Sequence, residues 1–196
     1  MTKQILKGSY GYIKAQGKRE WIKALLLFCI SLGMLILGMV ITKNRYPDIS
    51  WSKSRNNFLT VAAVLGVLPS ARFLISAIMF EKAKKFVCPK ELYEKVKAVC
   101  KASAGFDFYL TAYKEEFPLY CCVCTDNEVL GLLAGDEKKA KSGEEHIHTM
   151  LKNEGKGKVS VKLYTDEKSF LERIERTDEA SEKSDELLIV ICQISI

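Results

Sequence analysis

The residue types that do chemistry in proteins are present in this 196-residue chain, but few stand at spacings that chemistry uses. Cys121-Cys122-Val123-Cys124 is the densest run of thiols. In a strand, Cys122 and Cys124 face one side and Cys121 the other, so three thiolates cannot converge on one ion. No second C-x2-C pair answers them, so they are expected to be small buried hydrophobes. His146 and His148 stand two apart in a helical pattern and face different directions, whereas a helical chelate needs i,i+4. The carboxylates that could gather are Asp107, Asp126 and Glu128, near the ends of successive strand patterns. Arg72 is the one charge inside a long apolar run, and an ionisable residue at membrane depth is by default a functional candidate. No metal site and no cofactor is expected: G-x-x-x-x-G-K-[ST], G-x-G-x-x-G and G-x-S-x-G are all absent.

The elements that would position these residues fall into two classes. Residues 24–41 carry no charge and residues 58–80 only Arg72. At 1.5 Å per residue these runs reach about 27 and 34 Å, against a hydrocarbon core of about 30 Å. Two membrane helices follow: a basic juxtamembrane segment 1–23, a first span 24–41, an external loop 42–57, and a second span 58–80. The 23 residues ahead of the first span are too long for the n-region of a cleaved signal, and no A-x-A site follows Ile41, so a retained anchor is expected.

Lys3, Lys7, Lys14, Lys18, Arg19 and Lys23 precede the first span. Lys43, Arg45, Lys53 and Arg55 lie between the spans. Lys82, Lys84, Lys85, Lys90, Lys95, Lys97 and Lys101 follow the second, so both termini should face the cytoplasm. Trp21, Tyr46 and Trp51 sit where interfacial aromatics belong. Arg72 lies eight residues before Phe80, close enough for its side chain to snorkel toward headgroups, and Pro69 weakens the helix just ahead of it. Ala62, Gly66 and Ser70 form a small-xxx-small row, matched by Cys29 and Gly33 on the first helix. Packing of the two spans on each other is the simplest use of those rows, and a homodimer the next.

Charge divides with the same boundary. Residues 1–80 hold 11 Lys and Arg against 2 Asp and Glu, and residues 81–196 hold 19 against 22. A nucleic-acid reader concentrates positive charge on its soluble part, and here that part is mildly acidic. The basic flanks are therefore expected to meet anionic lipid headgroups. Six of the seven cysteines, all but Cys29, fall in parts placed inside the cell, where thiols stay reduced.

Residues 86–196 read as a cytosolic α+β domain with one mixed sheet, in the order α-β-β-β-α-β-α-β. Pro89 opens a helix carrying Leu92, Val96, Val99 and Cys100 on one face, with Gly105 as its stop. FDFYLTAY alternates, placing Phe106, Phe108, Leu110 and Ala112 together. Turns at Lys114–Glu116 and Asp126-Asn127 lead into FPLYCCVC and EVLGLLAG, completing a meander. Ser142 and Glu145 have capping-box spacing, and that helix should end near Gly155. In 158–164, Val159, Val161 and Leu163 face the core. Thr165 caps a helix with Phe170, Leu171 and Ile174 buried. After the charged linker 175–186, LLIVICQI reads as a strand covered on both faces, which would make 158–195 a parallel β-α-β unit.

That element order resembles the core of restriction-endonuclease-like domains. The resemblance implies an Asp at one strand end and an E-x-K on the next strand, holding a divalent metal. Asp126 is near the first position, but the next strand reads Glu128-Val129-Leu130, without the lysine. Glu137-Lys138-Lys139 falls beyond it, after Gly135. The leading expectation is therefore a membrane-anchored binding or regulatory domain without catalysis. The alternatives are a degenerate or metal-dependent nuclease-like enzyme using Asp107, Asp126 and Glu128, and an accessory subunit whose Arg72 meets an acid in a partner helix.

Overall fold

A computed structural model describes residues 6–48, 50, 53, 57–112 and 115–196. Lys3, Trp51, Arg55 and Lys114, used above, lie outside the described residues. The described residues form six α-helices and a four-stranded mixed sheet: α1 (Tyr12–Arg45), α2 (Phe58–Ala83), α3 (Lys90–Val99), β1 (Ser103–Thr111), β2 (Glu116–Cys124), β3 (Glu128–Leu133), α4 (Ala140–Asn153), β4 (Ser160–Tyr164), α5 (Glu167–Glu175) and α6 (Glu182–Ile194). The chain divides into two compact units. One is Lys14–Lys82; the other joins the N-terminal residues up to Ile13 to Ala83–Ile196.

In the helical unit, α1 has 34 residues and α2 has 26, about 51 and 39 Å of helix. Both are long and apolar enough to cross a membrane. Their buried faces carry small residues at seven-residue spacing: Gly17, Ala24, Ser31 and Gly38 on α1, and Ala63, Ser70 and Ala77 on α2. A seven-residue repeat keeps one seam facing its partner. The absence of a side chain at Gly66 is what lets the helices close, because a Cβ there would lie 2.5 Å from Ser31 Oγ. Ser70 Oγ donates to the Ala24 carbonyl at 3.0 Å across the same seam. The helix α2 runs unbroken through Pro69.

The globular unit has three layers. Strands β1, β2 and β3 form an antiparallel meander, and β4 joins β3 in parallel. On one face α4 and α6 cover Phe108, Leu110, Phe117, Leu119, Cys122 and Cys124. On the other, α3 and α5 cover Phe106, Cys121, Val123, Leu130 and Leu132. The outer edge of β4 is closed by Glu144, whose carboxylate accepts from Leu163 N–H at 2.9 Å and lies 3.4 Å from Lys162, a common way of blunting an edge strand.

The largest departure from the sequence reading is at the C-terminus. LLIVICQI is not a strand but the body of α6, so the order is α-β-β-β-α-β-α-α, and the parallel β-α-β unit is β3-α4-β4 rather than 158–195. Ser181 and Ser184 form a reciprocal capping box, and Ser184, Leu187 and Ile191 are the buried stripe. The apolar run fits a buried strand and a buried helix equally well by periodicity, and the cap lay inside what reads as linker.

Smaller corrections fall at the ends of elements and within β1. Helix α3 ends at Val99, and Gly105 lies in β1, where a Cβ would meet the Phe108 ring at 2.5 Å. Ser142 lies inside α4 and donates to Glu115 at 2.6 Å instead of capping. The cap of α5 is Asp166, which accepts from Ser169 N–H at 2.9 Å, rather than Thr165. Phe106 and Phe108 face opposite layers because Asp107 between them has φ of 58° and breaks the alternation.

Candidate functional site

The polar cleft nearest to a site lies where the parallel strands begin. The turn leading into β3 is closed by Thr125 N–H to the Glu128 carbonyl at 2.9 Å and by Glu128 N–H to Thr125 Oγ1 at 3.2 Å. Ser160, at the head of β4, donates its N–H to the Asn127 carbonyl at 2.9 Å. The link between α5 and α6 brings Asp178 and Glu179 alongside, leaving a cleft of about 420 Å³ lined by Thr125, Asp126, Asn127, Glu128, Ser160, Asp178 and Glu179.

Two of its four carboxylates are already engaged. Glu128 pairs with Arg173 at 2.5 Å, and Asp126 accepts from the Ser181 hydroxyl beside the start of α6. A neighbouring cleft shares Asp126 and Asn127 and is lined also by Lys156, Lys158 and Lys183. Ligands of open α/β sheets sit at the carboxyl ends of the strands, and this cleft is at the opposite end. Among the described residues, no group of three His, Cys, Asp or Glu is arranged to hold a metal ion.

The three acids singled out in the sequence do not meet. Asp126 and Glu128 share the cleft, but Asp107 lies four residues along β1 from Ser103, the residue paired with Cys124. That is about 13 Å at strand rise. Asp107 is 2% exposed, and its carboxylate accepts from Cys88 N–H at 2.8 Å and Gly11 N–H at 2.6 Å. It serves the backbone rather than the cleft.

Five thiols, those of Cys88, Cys100, Cys121, Cys124 and Cys192, are held protonated. Burial, helped by the Asp107 and Glu167 charges, pushes Cys88 up to about 12. Burial likewise raises Cys100, Cys121 and Cys192. Cys124 is raised first by its hydrogen bond with Cys122 and then by burial. Nucleophilic or metal-binding cysteine needs the thiolate, so this environment suits packing. Cys122 and Cys124 face the α4/α6 layer and Cys121 the α3/α5 layer, as strand geometry requires. The His146 ring packs 5.6 Å from Phe117, while His148 is exposed.

In the helical unit, Gly66 and Ser70 lie at the seam, but Ala63 is the fully buried alanine and Ala62 is half-buried. Cys29 is exposed and Gly33 has open space around it, so that row faces away from α2. Arg72 is exposed and forms no ion pair with the described residues. Sequence reasoning missed Arg173 as the partner of Glu128, and it missed the acids 178 and 179, whose run of charge reads as a solvated linker. It also missed the N-terminal residues that Asp107 binds; Gly8 and Gly11, with φ of 83° and 81°, are the only signal for them. The chain matches no protein-family model, no curated protein and no solved structure.

Proposed function

We propose that this protein is a two-span membrane protein whose globular unit is a cytosolic binding or regulatory domain without catalytic turnover. The observation that carries the reading is where the large apolar side chains are left uncovered. Of 22 exposed large hydrophobics among the described residues, 20 lie between Ile22 and Ile78. The most apolar windows of α1 and α2 are only 17% and 11% buried. A helix that serves as the core of a soluble protein is covered by its own chain; these are not, and lipid is the solvent that suits them.

The Lys and Arg balance around the spans supports cytoplasmic termini. It also supports contact of Lys14, Lys18, Arg19 and Lys23, and of Lys82, Lys84 and Lys85, with anionic headgroups. Arg72, near the end of α2, is reached by the same headgroups through snorkelling. A membrane-protein partner or a second copy is the further expected association, across the outward row of Cys29 and Gly33.

Against catalysis in the cleft stand the engagement of Glu128 by Arg173 and of Asp126 by Ser181. The competing reading, a metal-dependent enzyme, draws on Asp126, Glu128, Asp178 and Glu179 sharing one cleft. Titration of the full chain in detergent with Mn²⁺ separates the two. No saturable binding at millimolar metal is expected; saturable binding abolished by Asp126→Ala would replace this reading with the enzymatic one.

A further inference from the structure

Residues 6–13 and 83–88 of the globular unit are the two stretches of chain that adjoin the long helices in sequence, and both end on the same side chain. Gly11 stands one residue before α1 begins, and Cys88 stands two residues after the short 3-10 turn Lys84–Phe86 that follows α2. The Asp107 carboxylate takes one backbone N–H from each, Oδ2 from Gly11 at 2.6 Å and Oδ1 from Cys88 at 2.8 Å. Asp107 is almost fully buried and is the one non-glycine residue with positive φ among the described residues. Asp and Asn tolerate that region better than other side chains. A buried charge and a strained backbone at one position persist only where the surroundings over-determine them.

The N-terminal arm is docked along its length. Phe106 N–H donates to the Gly8 carbonyl at 2.8 Å, and Gly8 is required there because a Cβ would lie 2.8 Å from Cys192 Sγ. Tyr10 stacks on Tyr93 of α3 with ring centroids 4.5 Å apart. Lys7 Nζ donates to the Ser195 carbonyl at 2.5 Å, at the end of α6 where a cation suits the helix dipole. The arm therefore touches α3, β1 and α6, and its last bond before α1 is to Asp107.

We propose that Asp107 is a shared latch, a positioning residue that holds the stretch entering α1 and the stretch leaving α2 to β1 and couples each to the other. A carboxylate is a rigid fork. It cannot turn one oxygen to follow a displaced amide without carrying the other oxygen off its own donor. Displacement of the arm is thus felt at Cys88, and the reverse. A displacement of one of these stretches is passed to the other through this group.

Hydrogen exchange followed by mass spectrometry on the full chain in detergent tests the latch. Tyr10→Ala loosens the arm while removing neither of the two amide hydrogen bonds to Asp107. The expected result is about tenfold faster exchange in residues 6–13 and, in parallel, at the amides of Phe86, Val87 and Cys88, with Cys121–Leu133 unchanged. Faster exchange in the arm alone would overturn the coupling. Asp107→Asn keeps the shape and the tolerated backbone but loses the charge, and should accelerate both stretches together; acceleration of one or neither would overturn the proposal. Asp107→Gly relieves the backbone and removes the carboxylate. If both stretches remained protected in it, the carboxylate would be dispensable and the latch refuted. Should the Asp107 variants fail to fold, Tyr10→Ala decides alone.

Discussion

The two units bury opposite kinds of residue. In the helical unit the buried seam is Gly17, Ala24, Ser31, Gly38, Ala63, Ser70 and Ala77, while Leu, Ile, Val and Phe point outward. In the globular unit Phe108, Phe117, Leu119, Leu130, Phe170 and Ile191 are buried, and among the described residues only Leu6 and Ile189 are large apolar residues left exposed. One chain thus follows two packing rules. Where water is the solvent, apolar area drives the fold. Where lipid is the solvent, that driving force between helices is gone and close backbone approach replaces it. The inversion is the physical basis of the proposed membrane location.

The largest break in this comparison should come from the water-ordered core. Phe117 is 0% exposed, and Phe117→Ala should cost the globular unit about 3–5 kcal/mol, read as a lowered urea midpoint in near-ultraviolet circular dichroism. Far-ultraviolet helical signal from α1 and α2 should survive that transition. Loss of both signals together would mean that the two units do not follow separate rules.

Next in size is the helical seam. Gly66→Leu forces a side chain against Ser31 and should cost about 1–3 kcal/mol of hairpin stability, measured as a lower thermal midpoint in detergent. Gly33→Leu, made where nothing lies within 4 Å, should leave that midpoint unchanged. Equal effects at the two glycines would remove the seam from the account.

The sequence made the strands and the first helices legible because their patterns are local. The alternation of Val159, Val161 and Leu163, and the stripe of Phe170 and Ile174, needed no tertiary information. LLIVICQI did need it: its faces are chosen by what it covers, and the Ser181–Ser184 cap lies within a run of charge. The helical seam was half legible. Spacing of four picked out Gly66 and Ser70, but spacing of seven is what runs the length of both helices, and it selects Ala24, Ser31 and Ala63 over Cys29, Gly33 and Ala62. Of the candidate acids, Asp126 and Glu128 flank one turn, so their nearness is a local matter that spacing in the chain conveys. The position of Asp107 is not local, because the amides it binds belong to Gly11 and Cys88, 96 and 19 residues away in the chain.

Smaller effects sharpen the picture of the globular surface. The Glu128–Arg173 pair is partly exposed, with side chains 24% and 40% accessible, so Arg173→Ala should cost no more than about 1 kcal/mol in the same urea assay, and less at high salt. A larger loss would mark the cleft as more tightly built than its ion pair implies. The smallest expected effect concerns pH. Asp166 is held below its ordinary value of 3.8, chiefly by the Ser169 amide it caps. A depressed carboxylate stabilises above its unfolded value and is lost as pH falls through the folded one. The Ser169 amide should therefore stay protected down to pH 3.8 and begin to exchange faster only below it. Loss of protection at a higher pH would show that the cap does not hold α5.

Partitioning of the intact chain tests the central claim most directly. After lysis without detergent, alkaline carbonate treatment and ultracentrifugation, the account predicts that the protein stays in the membrane pellet and is released only by detergent. Recovery of the full-length chain in the aqueous supernatant would contradict it.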